Sequence, residues 1–289
     1  MRIHAPAKIN LCLFLGPRRD DGLHALCSLF EPLALADILE ISSGGLGDES
    51  AADQILCPGV EGENLVARAL AALRKHGWKG PPLQVEIEKR IPVAAGLGGG
   101  SADAAAILRL ARGPSEEGSG AVPDLSAIAA ELGADVPSQL APALSLVQGA
   151  GERVERLPAP ASHAVLLLPG GGGLSTAAVF AEADRLGLGR DEAVLDETAA
   201  SLREAAGAGA SPLDYADLLA NDLEPAARSL RPDIGDALDA LRDASAPLTL
   251  LTGSGPTAFG LFADLAAAER AAAEIDRDDA IVCEAGRAS

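Results

Sequence analysis

The sequence predicts an α+β protein in two parts, on three observations. Apolar residues recur with period two in some segments and with helical spacing in others, in both halves of the 289-residue chain. The stretch "LPAPASHAVLLLPGGGG" breaks the pattern with prolines and glycines and sets a boundary near residue 157, giving parts 1–157 and 158–289. Hydrophobic residues make up 48% of the chain, enough for extended cores rather than disorder.

Each element has its own signal. "RIHAPAKINLCLFLG" alternates Ile9, Leu11, Leu13 and Leu15 against Asn10, Cys12 and Phe14, which predicts a mostly buried strand. "PRRDDGLH" is a turn by composition, and "LCSLFEPLALADILEIS" is a second strand. A Gly/Asp/Ser loop covers 44–53. "ENLVARALAALRKHG" predicts a helix with Leu65, Ala69, Ala72 and Leu73 on one face and Gly77 as its stop. "LQVEIEKRIP" is a strand carrying Leu83, Val85 and Ile87. A helix follows from about Ser101, with Ala104, Ile107, Leu108 and Ala111 on one stripe. "GPSEEGSGAVP" is a solvated loop. Asp124 then caps a helix bearing Leu125, Ile128, Ala129 and Leu132 that stops at Gly133. The second part predicts a strand over 164–168, a helix from about Thr176, a "GAGAS" loop and helices through 216–243. Strands "LTLLTGSG" and "AFGLF" and an alanine-rich helix from about Asp264 complete it.

Charge narrows the function. A formal net charge of -19 argues against nucleic acid or an anionic membrane as partner. No apolar run reaches the length of a membrane span, and "MRIHAPAKIN" lacks the apolar region of a signal peptide, so a cytoplasmic protein is expected. Cys12, Cys27, Cys57 and Cys283 form no close pair and are expected as core or near-core thiols. Lysine is confined to Lys8, Lys75, Lys79 and Lys89. An anion site in such a chain must be local, built from backbone amides, a helix end or a few placed cations.

"RIPVAAGLGGGSADAAAILRLA" supplies one. The first turn of a helix has N–H groups without internal partners, and the macrodipole adds partial positive charge there. Glycines let a phosphate reach that backbone. Ser101 is expected as the cap, with Asp103 in the first turn where an acid suits the dipole. No lysine follows the glycines as a P-loop requires, and the spacing is not G-x-G-x-x-G. "GSGPTA" at 253–258 fits only the looser G-x-G-x-x-A and leads into a strand. A tight loop that merely packs helix on sheet remains the alternative.

"PVAAGLGGGSADAAA" resembles the phosphate-binding motif of the GHMP kinases, the superfamily of galactokinase, homoserine kinase, mevalonate kinase and phosphomevalonate kinase. "APAKINLCL" is similar to their N-terminal motif and "LTGSGPTAFGLF" to their C-terminal glycine motif, in family order and spacing. "PAKINL", "DGLH", "ENLVARA", "EKRIPVAAGLGGGSADAAA" and "GADVP" are most similar to the branch that serves the non-mevalonate route to isoprenoid precursors. The resemblance implies transfer of the ATP γ-phosphate to the 2-hydroxyl of a small-molecule substrate, a cytidyl sugar-alcohol diphosphate. It implies a ribosomal protein S5 domain 2-like N-terminal domain and a ferredoxin-like α+β C-terminal domain, with the active site between them. Another small-molecule kinase of the superfamily, of mevalonate or homoserine type, and a catalytically silent nucleotide binder are the competing readings.

By resemblance Asp135 is the base that takes the proton of the substrate hydroxyl. Read alone, it could equally cap a "PSQLA" helix. Lys8, a strand lysine among apolar neighbours, would pair with Asp135 and the transferring phosphoryl group; read alone, it is a snorkelling edge lysine. Asn10, on the same strand face, would position substrate. Pro92, Val93, Ala94, Ala95, Gly96, Leu97, Gly98, Gly99, Gly100, Ser101 and Ala102 would hold ATP, with Asn64 and Lys89 near its adenine. His24 would hydrogen-bond the cytosine, Phe180 would stack on it, and Thr176 is a further substrate contact. Gly253, Ser254 and Gly255 would shape the floor near the substrate phosphates, or serve only as a turn between strands. Two departures weaken the base pocket. Leu23 stands where the family has tyrosine, and Ala177 where proline is common. ATP chemistry implies Mg²⁺, for which no carboxylate cage is legible. No oligomeric state is legible either.

Overall fold

The chain opens on a long hairpin, because its first two apolar runs are joined only by the polar turn at 19–23. A computed structural model describes residues 1–43, 52–60, 62–111 and 123–286. In it β1 (Arg2–Arg18) runs antiparallel to β2 (His24–Ser43), Arg2 opposite Glu40 and Arg18 opposite His24. The other edge of β2 is shared. Its far end pairs with β4 (Leu83–Glu88) and its near end with β5 (Ser145–Gly149), both antiparallel. β3 (Gln54–Leu56) adds in parallel beside β4, and β6 (Arg153–Arg156) antiparallel beside β5. The loops expected over 44–53 and at "GPSEEGSGAVP" lie almost wholly outside the described residues.

Helices α1 (Leu65–Lys75), α2 (Gly99–Leu110), α3 (Leu125–Leu132) and the one-turn α4 (Val136–Gln139) share a core with this sheet. α2 is buried on nearly every side, and its alanines at 102, 104, 105 and 106 allow sheet and helices to close on it. Two expectations shift here. The buried stripe of α1 is Val66, Ala69, Leu70 and Leu73, while Leu65 and Ala72 flank it, half-buried. α2 starts at Gly99, not near Ser101, and its N-cap is Gly98 in the left-handed conformation with no side-chain cap. A glycine there turns the chain into the helix without the hydroxyl that Ser101 was expected to supply. Asp124 does cap α3, accepting from Ser126 and Ala127 N–H, and Gly133 ends it.

The second sheet has the order β10 (Ile281–Glu284), β7 (Ala164–Leu168), β9 (Ala258–Phe262), β8 (Leu248–Leu251), all antiparallel. Its two faces explain the unbroken apolar run "AVLLL". Val165 and Leu167 face the first sheet with Phe259, Leu261, Ile9, Leu11 and Leu29. Ala164, Leu166 and Leu168 face α5 (Thr176–Leu186), α7 (Glu224–Leu230), α8 (Asp233–Asp243) and α9 (Leu265–Ile275). α6 (Glu192–Ala206) and the 3-10 helix Pro212–Leu218 pack on the shared inter-sheet core. β3, β5, β6, β10 and α6 carry no separate signal in the sequence. The proposed division at residue 157 falls between β6 and β7. No described helix is long and apolar enough to cross a membrane.

One buried ion pair ties the halves. His163 Nε2 lies 3.1 Å from Glu31 Oε2, and its Nδ1 lies 2.9 Å from Ala161 O. Burial opposes the imidazolium, but Glu31 outweighs it and holds the His163 pKa above its ordinary 6.5. A raised folded-state pKa stabilises fully below the unfolded value and is lost as pH rises through the folded one. Between pH 5.5 and 9, the stability of the wild type relative to Glu31→Gln/His163→Gln should therefore be greatest at the acid end and decline with rising pH, read by urea denaturation. A flat difference would contradict the charged pair. His163→Leu alone, leaving Glu31 buried without its cation, should cost about 3 kcal/mol or more.

Candidate active site

Two cavities meet at the start of α2. The smaller, about 290 Å³, is lined by Pro92 through Ser101 together with Asn64, Leu65, Lys89, Cys57 and Asp103. The first helical bond of α2 runs from Ala102 N–H to Gly98 O, so the N–H groups of Gly99, Gly100 and Ser101 have no backbone partner among the described residues. Ahead of them Ala94, Gly96 and Gly98 all take positive φ, at 56°, 78° and 70°. The intervening carbonyls are turned into the protein. Leu97 O accepts from Lys8 N–H at 2.9 Å and Ala95 O from the Thr257 hydroxyl at 2.7 Å. Such alternation presents amides to the cavity and forms an anion cradle. Glycine is required at two of these positions for closeness as well as φ. A Cβ on Gly96 would lie 2.7 Å from Gly255 O, and one on Gly98 would lie 3.0 Å from Lys8 Cγ and Cε.

Lys89, at the edge of this cavity, binds Asp37 and, at 2.9 Å, Asp103. Burial works against its ammonium, but the two carboxylates outweigh it and hold the pKa above the usual lysine value. Burial lifts the Asp103 carboxyl to about 6. Asp103 thus serves Lys89 rather than the helix dipole, and α2 has no acid in its first turn. Asp37 Oδ1 also accepts from the Arg90 and Ile91 N–H groups, which fixes the chain entering the loop. Asn64 lines the cavity while its side chain caps α1 through Val66 N–H. Ala102 is fully buried behind the loop. Cys12, Cys27 and Cys283 are core thiols, and Cys57, half-buried at the cavity wall, packs against the core as a near-core thiol, as expected.

The larger cavity, about 740 Å³, lies between the halves. Lys8, Asn10, His24, Asp135, Thr176, Phe180, Gly253 and Ser254 all line it. Lys8 is buried, with its Nζ 3.2 Å from Asp135 Oδ2, 2.7 Å from Asn10 Oδ1 and 4.8 Å from the Phe30 ring centre. Asp135 occupies the N-cap position of α4, yet its side chain makes no cap bond and faces Lys8, 31% exposed. Asn10 is held in turn: its amide donates to Ser28 Oγ at 3.0 Å, and its backbone N–H to Thr252 Oγ1 at 2.9 Å. Gly253 and Gly255 take positive φ, and the Asn221 amide donates to Leu251 O and Gly253 O. Gly255 lies behind Gly96 rather than on the cavity wall. Thr176 and Ser254 share a hydroxyl hydrogen bond of 2.9 Å.

At the other end of the cleft the His24 and Phe180 rings lie 5.6 Å apart, tilted by 41°. His24 Nδ1 meets Gly16 O and Nε2 meets Asp184 Oδ1, each at 3.1 Å, so both ring nitrogens already have acceptors on the protein. Leu23 is 55% exposed and lines the same end.

This arrangement has relatives. The model of the GHMP kinases N terminal domain matches residues 64–141, and that of the GHMP kinases C terminal domain matches 192–280. The chain belongs to the GHMP kinases. It is 39% identical to the 4-diphosphocytidyl-2-C-methyl-D-erythritol kinase of Thermobifida fusca (strain YX), over 88% of this chain and 84% of that one. Against the protein of the same name from Mesorhizobium japonicum it is 38% identical, over 94% and 90%. A crystal structure of a 4-(cytidine 5'-diphospho)-2C-methyl-D-erythritol kinase superposes with TM-score 0.78 at 32% identity, covering 99% and 100%. The homoserine kinase of Cytophaga hutchinsonii, at TM-score 0.67 and 18% identity over 100% and 94%, shares the fold.

In this GHMP kinase several residues that shape the site were not singled out in the sequence, although Thr252 and Thr257 lie within "LTGSGPTAFGLF". Asp37, Asn221, Thr252 and Thr257 act by bonding segments far away in sequence. For Asp37 the clue was a lone polar residue in an apolar run, "LALADILEIS". Gly96→Ala tests the pinned loop. The left-handed backbone costs about 1–2 kcal/mol for alanine, and the new methyl would push against Gly255 O. Affinity for ADP should fall at least about tenfold, or 1.4 kcal/mol, by calorimetry. Unchanged affinity would show that the loop does not need its contact with the 252–257 segment.

Proposed function

We propose that this GHMP kinase phosphorylates the 2-hydroxyl of 4-diphosphocytidyl-2-C-methyl-D-erythritol from ATP, with Asp135 as base and Lys8 as its electrostatic partner. One observation carries the assignment of roles. Gly96 and Gly98 line both cavities, and Lys8 and Asp135 stand in the larger one where the two meet. A donor phosphate held on the α2 amides would thus end beside the group that prepares the acceptor.

Asp135 would take the hydroxyl proton as the oxygen forms its bond to the γ-phosphorus and the β–γ bridging bond breaks, releasing ADP. The Lys8 ammonium would move little, since Asn10 and Phe30 already fix it, and would offset charge on the transferring group. Gly253 and Ser254 would bear on the substrate diphosphate, and the end lined by His24, Leu23 and Phe180 would take the base. Mg²⁺ would supply charge neutralisation between phosphate oxygens. Among the described residues no three His, Cys, Asp or Glu side chains assemble as a metal cage. The named relatives favour the cytidyl substrate, whereas the homoserine and mevalonate kinases resemble this chain only at fold level.

The assay supplies labelled ATP with the cytidyl alcohol, mevalonate or homoserine in turn. Label should pass to the cytidyl alcohol. Transfer to one of the others instead would overturn the substrate, and ATP binding without any transfer would indicate a silent binder. Asp135→Asn should lower kcat by about 10²- to 10⁴-fold while ADP binds as before, and Lys8→Met should lower kcat by about 10²-fold or more. An unchanged kcat in Asp135→Asn would refute the base.

A further inference from the structure

The base end of the cleft has to satisfy a polar ring edge, and few lining side chains there remain able to do so. Both nitrogens of His24 are engaged, by Gly16 O and Asp184 Oδ1. Phe180, Leu23, Leu26, Ala177 and Ala181 offer no donor. Even the Leu23 backbone N–H is taken, by Asp21 Oδ1. Among the described lining residues, a donor side chain beside this ring pair is Arg18, which stands opposite His24 in the hairpin register.

Arg18 differs from its neighbour. Arg19 is held by Asp21 at 2.9 Å and Glu152 at 2.7 Å, outside the cleft lining. Arg18 binds only a carbonyl, Gly22 O, through Nε at 3.1 Å, and has no carboxylate partner among the described residues. That bond orients the guanidinium plane and leaves both Nη groups without a partner among the described residues. In a chain with 42 acidic and 23 basic residues, an arginine in a cleft without an acid beside it is available to a ligand. Asp184 complements it, since its Oδ1 serves His24 and its Oδ2 has no partner among the described residues.

We propose that Arg18 is the specificity-determining residue for the base, donating through both Nη groups to the O2 and N3 acceptors of cytosine, with Asp184 Oδ2 accepting from the 4-amino group. The proposal rests on the reading that the acceptor substrate carries a cytidine. Cytosine presents acceptor, acceptor and donor along this edge, which matches a guanidinium fork followed by a carboxylate. Uracil presents acceptor, donor and acceptor, so its N3–H would face the fork and its O4 the carboxylate. Rejection then comes from unpaired and repelled groups.

Calorimetry with CMP and UMP tests this, with ADP as the control for the nucleotide cavity. The wild type should bind CMP in preference to UMP. Arg18→Ala should weaken CMP by about 5- to 150-fold, the range of a good bidentate pair, remove most of the preference over UMP and leave ADP binding unchanged. Arg18→Lys keeps the charge without the fork and should show nearly the same loss. Unchanged CMP affinity in Arg18→Ala would overturn the proposal. So would an equal loss for CMP and UMP, since Arg18 would then be a phosphate contact. If the wild type transfers phosphate to mevalonate or homoserine and binds no CMP, the substrate reading fails and this proposal with it. Transfer to the cytidyl alcohol with Arg18 indifferent to the base refutes this proposal alone.

Discussion

The site depends on how the loop from Ala94 to Gly98 is pinned. Its carbonyls are bound on one side by the first strand and on the other by the segment after β8, through Lys8 N–H and the Thr257 hydroxyl. With those oxygens facing protein, the amides face the cavity. The same pinning sets Lys8 against Gly98 and Asn10 against Gly253, so the strand that holds the loop also carries Lys8 and Asn10 into the cleft. Preorganisation of this kind removes reorganisation from the phosphoryl-transfer step.

An acidic chain that handles polyphosphates must keep its own carboxylates from opposing the ligand. The structure does so locally. Lys89 is placed between Asp37 and Asp103 beneath the loop, and Lys8 sits beside Asp135. Asp37, Asp103 and Asp135 thus each have an ammonium within contact distance. Excess negative charge is left to the surface, where solvent and salt screen it.

Much of this was legible in the sequence, for reasons that separate local from distant contacts. Period two places Lys8 and Asn10 on one strand face, and both line the cleft. The glycine stretch points to an anion cradle because helix ends and glycines have local geometry. Asp135 was ambiguous in the sequence; the structure shows no cap bond from its side chain, which meets Lys8 instead. Partners such as Thr252 for Asn10, 242 residues away, were beyond reach, because periodicity says which face a residue occupies and not what meets it. Ser101 was misplaced as a cap because a left-handed glycine can begin a helix with no side chain at all. His163 and Glu31 gave no warning for the same reason as Thr252, since each found its counter-charge in the opposite half.

The unbroken apolar run of β7 has a consequence for the integrity of the chain. Val165, Leu167, Phe259 and Leu261 pack against Ile9, Leu11 and Leu29 of the first sheet, so the boundary between the halves is itself core. Either half made alone would show water one full sheet face of aliphatic side chains, a surface prone to association. The cleft is therefore a groove along a welded seam rather than the mouth of a hinge. Changes of ligand preference in such a molecule come from exchanging side chains along the groove walls, because its width is set by the core beneath it.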